Sequence, residues 1–239
     1  TPCCEAAASQ TPIMPMPSLA TLFPPTCSKV FIDGGSNLGE SVDSWYAGTF
    51  HRCSLNQPTR LYPRSWKNAS AAEKRQRMLP LQDRNSFCVR SFESNLFLMP
   101  ALNVRARALQ SAGRDVQFVG AMLSNTTSPG QPRHVVNFSH AATGSTATTF
   151  RFRSVHTTLP VLADDVKSIP SLDVRNVVRT IVAHDPGAVI ALKLDVEGEE
   201  LYLLDALTRA PSSRAPGSLI CEVSYLFVEF HNLHVNLTH

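Results

Sequence analysis

The chain has 239 residues, of which 43% are hydrophobic and 17% are charged, with a formal net charge of +3. This length and apolar content suffice for one α/β domain with a full core, and they exclude an intrinsically disordered protein. The small net charge and the scattered basic residues argue against a nucleic-acid-binding protein.

The sequence contains no candidate membrane span and no cysteine motif for metal binding. No run approaches the roughly 18 apolar residues that a span requires, so we expect a soluble chain. The first residues lack the pattern of a signal peptide, although an upstream signal or anchor could have been removed before Thr1. The six cysteines show neither a Cys-x-x-Cys pair nor histidine spacing suited to zinc, and they predict disulfides or isolated thiols.

The glycosylation sequons indicate the same cellular location as the cysteines do. Together they favour the lumen of the secretory pathway or the cell exterior, where disulfides persist, with the cytoplasm as the alternative. The sequon asparagines are Asn68, Asn125, Asn137 and Asn236.

The predicted elements begin after an extended, proline-rich lead-in at residues 1–28, and residues 29–239 are expected to form a single domain. An apolar run at 29–33 predicts a buried strand, and residues 37–46 predict the helix that follows it. Residues 47–87 have a weak pattern rich in Pro, Asn, Arg and Ser. They predict an insertion or lid after the first helix, with one helical stretch at 70–78.

Strands and helices then alternate, and the alternation predicts an α/β fold with a mostly parallel sheet. Residues 124–160 are polar and predict a surface loop or irregular hairpin. The remaining predicted elements are a strand at 88–93, a helix at 96–112, a strand at 115–123, a helix at 171–184, a strand at 188–195, a helix at 199–208 and strand segments at 219–222 and 225–230.

A glycine-rich turn follows the first predicted strand. Gly34, Gly35 and Gly39 allow sharp turns and a close backbone approach, Asn37 tolerates a left-handed backbone, and Asp33 supplies a carboxylate. Sites for nucleotide-like ligands begin in this way, although an ordinary strand-to-helix loop is the alternative. The spacing differs from the Gly-x-Gly-x-x-Gly of dinucleotide binders and from the P-loop.

Three acidic residues occupy corresponding positions, because Asp33, Glu93 and Asp195 each end an apolar strand. Ligands of open parallel sheets bind outside the carboxyl ends of the strands, where the strand order reverses, so we expect these carboxylates to converge. Glu93, at the end of the second strand, is placed to accept both hydroxyls of a ribose. Its alternative role is that of a surface acid capping the next helix.

Residues 30–39, 91–95, 192–200 and 228–231 resemble, in this order, the motifs of the FkbM-type family of S-adenosylmethionine-dependent methyltransferases. The family's pattern runs Asp-x-Gly-Ala-Asn-x-Gly, Phe-Glu-Pro and Lys-x-Asp-x-Glu-Gly-x-Glu, and its last block is the most specific. The resemblance implies a Rossmann-like class I methyltransferase sheet with S-adenosylmethionine as the cofactor.

The resemblance also implies which residues contact the cofactor. Asp33, Gly35 and Asn37 would line its methionine end, Glu93 would hold the ribose, and residues 119–122 would lie along the adenine. The full expected set is Asp33, Gly34, Gly35, Asn37, Gly39, Glu93, Ser94, Ala121, Met122 and Asp195.

The chain departs from the family pattern in two lengths. Asp33 and Glu93 lie sixty positions apart, which we attribute to the insertion at 47–87, and we expect a disulfide between Cys53 and Cys88 to close it. In the chain-entropy model such a bridge contributes roughly 3–4 kcal/mol. Only eight residues follow His231, so we expect an incomplete C-terminal end without the usual closing strand pair.

Candidate catalytic residues lie on the fourth predicted strand and beyond it. Lys193, Asp195 and Glu197 alternate along an extended segment, so their side chains face the same way. Methyl transfer needs a positioned acceptor hydroxyl and a base, so we expect Asp195 or Glu197 to position it and His231 or Glu229 to take its proton. Lys193 either contacts the substrate or pairs with Asp195 or Glu197.

The resulting functional expectation is an O-methyltransferase acting on a hydroxyl of a glycan or small metabolite. The alternatives are a catalytically inactive lumenal carbohydrate-binding or interaction module and, third, a nucleotide-sugar or NAD enzyme. A divalent cation at Asp195, Glu197 and His231 has no further sequence support, so no metal is expected. The oligomeric state is left open.

Overall fold

The computed structural model of the chain describes residues 16–49, 70, 79–125, 133–136, 166–196, 199–209 and 218–229. The strands in these ranges are β1 (Lys29–Gly34), β2 (Cys88–Phe92), β3 (Val116–Val119), β4 (Met122–Ser124), β5 (Arg133–Val136), β6 (Val166–Ile169), β7 (Ser171–Asp173), β8 (Val189–Leu194) and β9 (Tyr225–Val228). The helices are α1 (Leu19–Leu22), α2 (Glu40–Tyr46), α3 (Met99–Ser111), α4 (Val174–His184) and α5 (Glu200–Thr208). Short 3-10 helices occupy Leu79–Gln82, Arg84–Ser86, Leu96–Leu98 and Leu219–Glu222.

Five parallel strands form the main sheet in the order β3-β2-β1-β8-β9. The chain begins in the middle of the sheet, moves outward through β2 and β3, and returns to the other side of β1 with β8. The strand order therefore reverses between β1 and β8, which is where open α/β sheets bind ligands. This confirms the predicted α/β fold with a mostly parallel sheet and is compatible with a Rossmann-like architecture.

Helices cover both faces of this sheet because the side chains of β1 point alternately to opposite sides. Val30 and Ile32 pack into an apolar layer with α1, α4 and α5, which we call the α4 layer. Phe31 packs into the opposite layer with α2 and α3, which we call the α2 layer. Such burial on both faces explains why β1 and β8 are continuous apolar runs rather than alternating ones.

A disulfide joins Cys27 to Cys88, which corrects the expected pairing of Cys88 with Cys53. The parallel register places Val30 opposite Cys88, so the chain just before β1 lies beside the first residue of β2. Cys27 therefore meets Cys88 directly at the amino ends of the two strands. Cys53 lies outside the described residues.

The buried Arg90 guanidinium fixes the same end of the sheet. It donates to the Leu22 carbonyl at the end of α1, and it forms an ion pair of 2.7 Å with Asp115. Leu22 and Phe23 are themselves buried in the α4 layer. The described part of the expected lead-in therefore packs on the domain and includes a helix.

Part of the predicted insertion also belongs to the core. Leu81 and Phe87 are buried in the α2 layer, and the Arg84 guanidinium donates to the Trp45 carbonyl. Residues 79–87 therefore do not form a lid. Of the predicted helical stretch at 70–78 the structure describes only Ser70, and Cys53 also falls in a range that it does not describe.

Two predicted strands differ in the structure. Residues 115–123 form β3 and β4 separately, because the Ala121 N–H turns back to the Val119 carbonyl and β4 then pairs with β7. Residues 219–222 form a 3-10 helix with local bonds such as Cys221 N–H to the Ser218 carbonyl. Short apolar runs do not distinguish these conformations by their periodicity.

The polar region at 124–160 and the helix at 171–184 also need adjustment. Within the predicted loop, residues 133–136 form β5, which pairs antiparallel with β6 beyond the end of the loop. The helix begins only at Val174, after β7, and the Asp173 side chain caps it by accepting from the Arg175 N–H. Within the described ranges, no helix is both long enough and apolar enough to cross a membrane.

Candidate functional site

A row of polar side chains crosses the carboxyl ends of three neighbouring strands. Asp33 on β1 lies in register with Ser91 on β2 and with Lys193 on β8. Residues in register on adjacent strands project from the same face of the sheet, here the α2 layer. Phe118 and Phe227 continue the row on its two flanks, so the polar groups are enclosed by aromatic side chains.

Asp33 is completely buried, and its two carboxylate oxygens have different surroundings. Oδ2 accepts hydrogen bonds of 2.6 Å from the hydroxyls of Ser41 and Ser91. Oδ1 lies 3.1 Å from Lys193 Nζ as an ion pair, but no donor among the described residues has hydrogen-bond geometry toward it. One buried oxygen of Asp33 therefore retains acceptor capacity.

The Lys193 ammonium connects the ends of β1 and β8. It donates to the Gly35 carbonyl at 3.1 Å and to Asp195 Oδ2 at 2.9 Å, in addition to its contact with Asp33. Burial alone would lower the pKa of Lys193, but the carboxylates of Asp33 and Asp195 outweigh it and raise that pKa above its usual value. The lysine therefore stays charged, and two of its N–H groups donate to acceptors of the protein.

The glycine loop, residues 34–39, is closed over the ends of the neighbouring strands. Gly35, Asn37 and Gly39 have φ values of 88°, 49° and 86°, as a sharp left-handed turn requires. A Cβ on Gly35 would lie 1.7 Å from the Asp195 carbonyl oxygen. Gly35 thus permits direct backbone contact between the loop and the end of β8.

The amides of this loop already have acceptors within the protein. The N–H groups of Gly35 and Ser36 donate to the Phe92 carbonyl, and the Asn37 N–H donates to Glu93 Oε2 at 2.7 Å. These amides are therefore not free to bind a phosphate group. The Ser36 hydroxyl, by contrast, is buried and has no hydrogen-bond partner among the described residues.

Glu93 joins the loops that follow β1 and β2. Its Oε1 accepts from the Asn95 N–H at 2.6 Å, while Oε2 holds Asn37. Burial raises the pKa of Glu93 to about 7, the two backbone donors lower it in part, Asp33 raises it further and Lys193 lowers it. Its ionisation therefore changes around neutral pH.

The structure brings Asp33, Glu93, Lys193 and Asp195 together as expected from their strand-end positions. The accessible part of the site consists of Asn37, which is exposed, and of Gly35, Ser94 and Asp195, which are half-buried.

Other predicted site residues lie away from this surface or outside the described residues. Ala121 and Met122 are buried among protein atoms, as are Gly34 and Gly39. Glu229 is exposed beyond β9, where its N–H donates to the Leu194 carbonyl. Glu197 and His231 fall in ranges that the structure does not describe.

Sequence reasoning missed three residues that form hydrogen bonds in or beside the site. Ser41 and Ser91 donate to Asp33, and the buried Glu200 accepts from the Val196 N–H at 3.0 Å. Glu200 is the last residue of the Lys-x-Asp-x-Glu-Gly-x-Glu pattern, so the motif itself could have indicated a role. The two serines carry no such signal, because serine is common in strands and helix starts.

The structure also bears on metal binding. In the described part of the chain, the one group of ligand-type side chains close enough to share an ion is Cys27, Cys88 and Asp115. Its two sulfurs are joined in the disulfide and are not available as thiolates. Arg90 adds a positive charge beside them.

The charge of the site decides which ligands it suits. Among the described residues at these strand ends, the carboxylates of Asp33, Glu93 and Asp195 outnumber the ammonium of Lys193, so with Glu93 ionised the crevice favours a cationic ligand and repels a phosphate. The unsatisfied Asp33 oxygen and Ser36 hydroxyl add hydrogen-bonding capacity for a polar ligand.

Comparisons of the chain with protein-family models, curated proteins and solved structures find no match.

Proposed function

We propose that this protein is an S-adenosylmethionine-dependent O-methyltransferase of the FkbM type, acting on a hydroxyl of a glycan or small metabolite. The observation that carries the proposal is the cluster of carboxylates at the point where the strand order reverses. S-adenosylmethionine is a cation at its sulfonium and ammonium groups, so it matches the negative excess of this crevice. The five-stranded parallel sheet suits the Rossmann-like class I methyltransferase fold.

The same geometry argues against the nucleotide-sugar and NAD alternatives. Both ligands carry a pyrophosphate, which such folds bind with free backbone amides at a helix start. Here the amides of Gly35, Ser36 and Asn37 already donate to Phe92 and Glu93. A pyrophosphate would also lie against buried carboxylates, which would repel it.

The residues that would hold the cofactor are those of the glycine loop and the ends of β2 and β8. Asp33 offers its unsatisfied oxygen and Glu93 its carboxylate, while Asn37, Ser94 and Asp195 supply accessible surface. When bound, the cofactor supplies an electrophilic methyl group. The buried Ala121 and Met122 do not expose surface for an adenine, so that part of the expected set would need a rearrangement.

Acceptor positioning falls to Asp195 in this proposal. Its side chain is 25% exposed at the crevice, and Lys193 orients the carboxylate through a bond of 2.9 Å. A carboxylate held by a lysine is a well-oriented hydrogen-bond acceptor for a hydroxyl. Proton removal is then assigned to Glu229 or His231, as expected from the sequence.

The Cys27–Cys88 disulfide supports a location in the secretory-pathway lumen or outside the cell. This part of the proposal agrees with the four sequons, of which Asn125 is within the described residues.

The experiment is isothermal titration of the full chain with S-adenosylmethionine, its demethylated product and NAD. We expect binding of the first two and no binding of NAD. Asp33→Asn should weaken binding at least tenfold, since it removes a buried charge from the crevice. The matched control Asp83→Asn removes an exposed carboxylate that forms an ion pair with Lys29 at 3.6 Å. Absence of binding to the folded wild type would refute the cofactor assignment.

A radiolabelled-methyl assay on sugars, glycopeptides and hydroxylated metabolites then tests catalysis.

A second candidate function is an inactive carbohydrate-binding or interaction module. It is favoured by the observation that Lys193 and both oxygens of Glu93 are bound within the protein. Retention on a glycan array without methyl transfer would support this second function.

A further inference from the structure

We propose that the Glu93 carboxylate is a proton-operated latch, which holds the glycine loop against the end of β2 when ionised and releases one side when protonated. The latch stands on the hydrogen-bond geometry of the loops alone. Its consequence for cofactor affinity rests on the proposed function.

The geometry of the two loops favours the ionised form of the Glu93 carboxylate, because both of its oxygens act as acceptors. Each oxygen accepts a backbone N–H, from Asn37 in the loop ahead of α2 and from Asn95 in the loop ahead of α3. Protonation converts one of these oxygens into a hydroxyl, which is a much poorer acceptor than a carboxylate oxygen. Protonation therefore weakens one of the two amide bonds and favours its release.

Because Glu93 is buried, the loss of one of its amide hydrogen bonds has a large effect on the glycine loop. The side chain is only 5% exposed, so water is poorly placed to replace a lost amide bond. Asn37 has a left-handed backbone that needs support from its surroundings. Loss of the Asn37 bond would free an exposed residue of the glycine loop.

The charged groups that act on Glu93 come from two other strands. Asp33 on β1 opposes its ionisation, and Lys193 on β8 favours it. The two backbone amides also favour the ionised form, while burial opposes it most strongly and raises the pKa of Glu93 to about 7. Modest changes in pH around neutrality therefore operate the latch.

Cofactor binding should respond to the latch. If the ionised form is the binding-competent one, apparent affinity falls in proportion to its population. Between pH 8 and pH 6 the dissociation constant for S-adenosylmethionine should then rise about tenfold. A cation bound in the crevice would in return favour ionised Glu93, so binding near pH 7 should release a proton.

The test uses the full chain labelled with ¹⁵N only at asparagine, so that the Asn37 and Asn95 amides are observed directly. We expect both amide proton resonances to move together with pH, with one midpoint near 7. Asn103 on α3 and Asn176 on α4 serve as internal references. Independent behaviour of the two amides, or no transition between pH 5 and 9, would overturn the latch.

Two variants sharpen the test. Glu93→Gln should abolish the shared transition, whereas Glu40→Gln, which removes an exposed glutamate from the start of α2, should retain it. A transition that survives in Glu93→Gln would contradict the proposal. If that variant does not fold, the ¹³C carboxyl resonance of Glu93 in the wild type must show the same midpoint as the amides.

Titrations with the cofactor distinguish a failure of the latch from a failure of the proposed function. Titration with S-adenosylmethionine at pH 6 and pH 8 should give the tenfold difference in wild type and in Glu40→Gln. No binding at either pH refutes the proposed function while the amide transition still supports the latch. Binding that is equal at both pH values overturns the coupling of the latch to the cofactor.

Discussion

Gly35 is the residue at which the backbones of the glycine loop and β8 come into direct contact. A Cβ there would overlap the Asp195 carbonyl oxygen, and the positive φ adds strain for any other residue. Both effects act on the ion pair between Lys193 and Asp195, because the loop must move to relieve the overlap. Stability and site geometry thus depend on the same glycine.

We expect Gly35→Ala to lower the free energy of unfolding by roughly 3 kcal/mol or more, as steric overlap with backbone does. Gly48→Ala is the matched control, because Gly48 also has a positive φ but a Cβ there meets nothing within 4 Å. Its cost should be about 1 kcal/mol from backbone strain alone. Urea denaturation of both variants measures the difference, and equal costs would contradict the overlap.

Glu93 gives the stability a pH dependence with a definite sign. Its pKa is raised to about 7 in the folded protein from an ordinary value of 4.5, so folding disfavours its ionised form. The contribution of Glu93 is therefore most favourable below pH 4.5 and is lost as the pH rises through 7. The shift corresponds to about 3 kcal/mol.

The quantity to measure is the unfolding free energy of the wild type minus that of Glu93→Gln, because the contributions of the other titrating groups cancel in this difference. We expect the difference in unfolding free energy to fall by about 3 kcal/mol between pH 4.5 and pH 8. Urea titrations at intervals of half a pH unit would follow it. A difference that stays constant over this range would show that Glu93 titrates normally in the folded state.

At the scale of elements, the amino ends of β1 and β2 are tied by the Cys27–Cys88 disulfide and by Arg90. The bridge closes a loop with a sequence separation of 61 residues, and that loop includes α2 and residues 47–87, which were predicted as an insertion. Cross-linking so long a loop restricts the unfolded chain strongly.

Cys88→Ser should therefore lower the unfolding free energy by about 4 kcal/mol in the chain-entropy model. Cys221→Ser is the control, because Cys221 is exposed and has no disulfide partner in the described part of the chain. Thermal unfolding compares the two, and non-reducing peptide mapping identifies the bridge. A fragment that links Cys88 to Cys53 would contradict the pairing.

The elements differ in how far the sequence predicts them. The apolar runs of β1 and β8 are predictable, because burial on both faces demands largely continuous hydrophobic residues. The pairing of β5 with β6 and the 3-10 helix at Leu219–Glu222 are not, since short segments take their conformation from tertiary contacts. The partner of Cys88 was missed because it depends on strand register.

The candidate site, like the fold, could be predicted from the sequence only in part. Convergence of Asp33, Glu93 and Asp195 followed from their positions at strand ends, and the pairing of Lys193 with Asp195 was one of two expected roles. The occupation of the loop amides by Glu93 could not be read from the sequence. It arises from the closure of one loop on another, which no local pattern records.

At the scale of the whole molecule, ligand binding and folding are linked through this sheet. A ligand that binds only the folded chain stabilises it by about 2.7 kcal/mol at a hundredfold excess over its dissociation constant. For a domain of this size that is a rise in melting temperature of roughly 5–10 °C. S-adenosylmethionine should produce this rise and NAD should not.

Differential scanning fluorimetry measures this effect without knowledge of the acceptor. The demethylated product serves as a second ligand, since it lacks the sulfonium charge and should stabilise the protein less. A rise with NAD alone would instead favour the dinucleotide alternative. No rise with any of the three would favour the binding-module function.

The polar row of Ser91, Asp33 and Lys193 has a consequence for how the strands find their alignment during folding. Sliding β1 by a single position would turn the Asp33 carboxylate into the hydrocarbon of the α4 layer, away from both hydroxyls and from the ammonium. The row therefore penalises misaligned strands, a task that uniform apolar runs of valine, isoleucine and leucine cannot perform. Removing its charges should leave a sheet that still forms but is less selective about its own alignment.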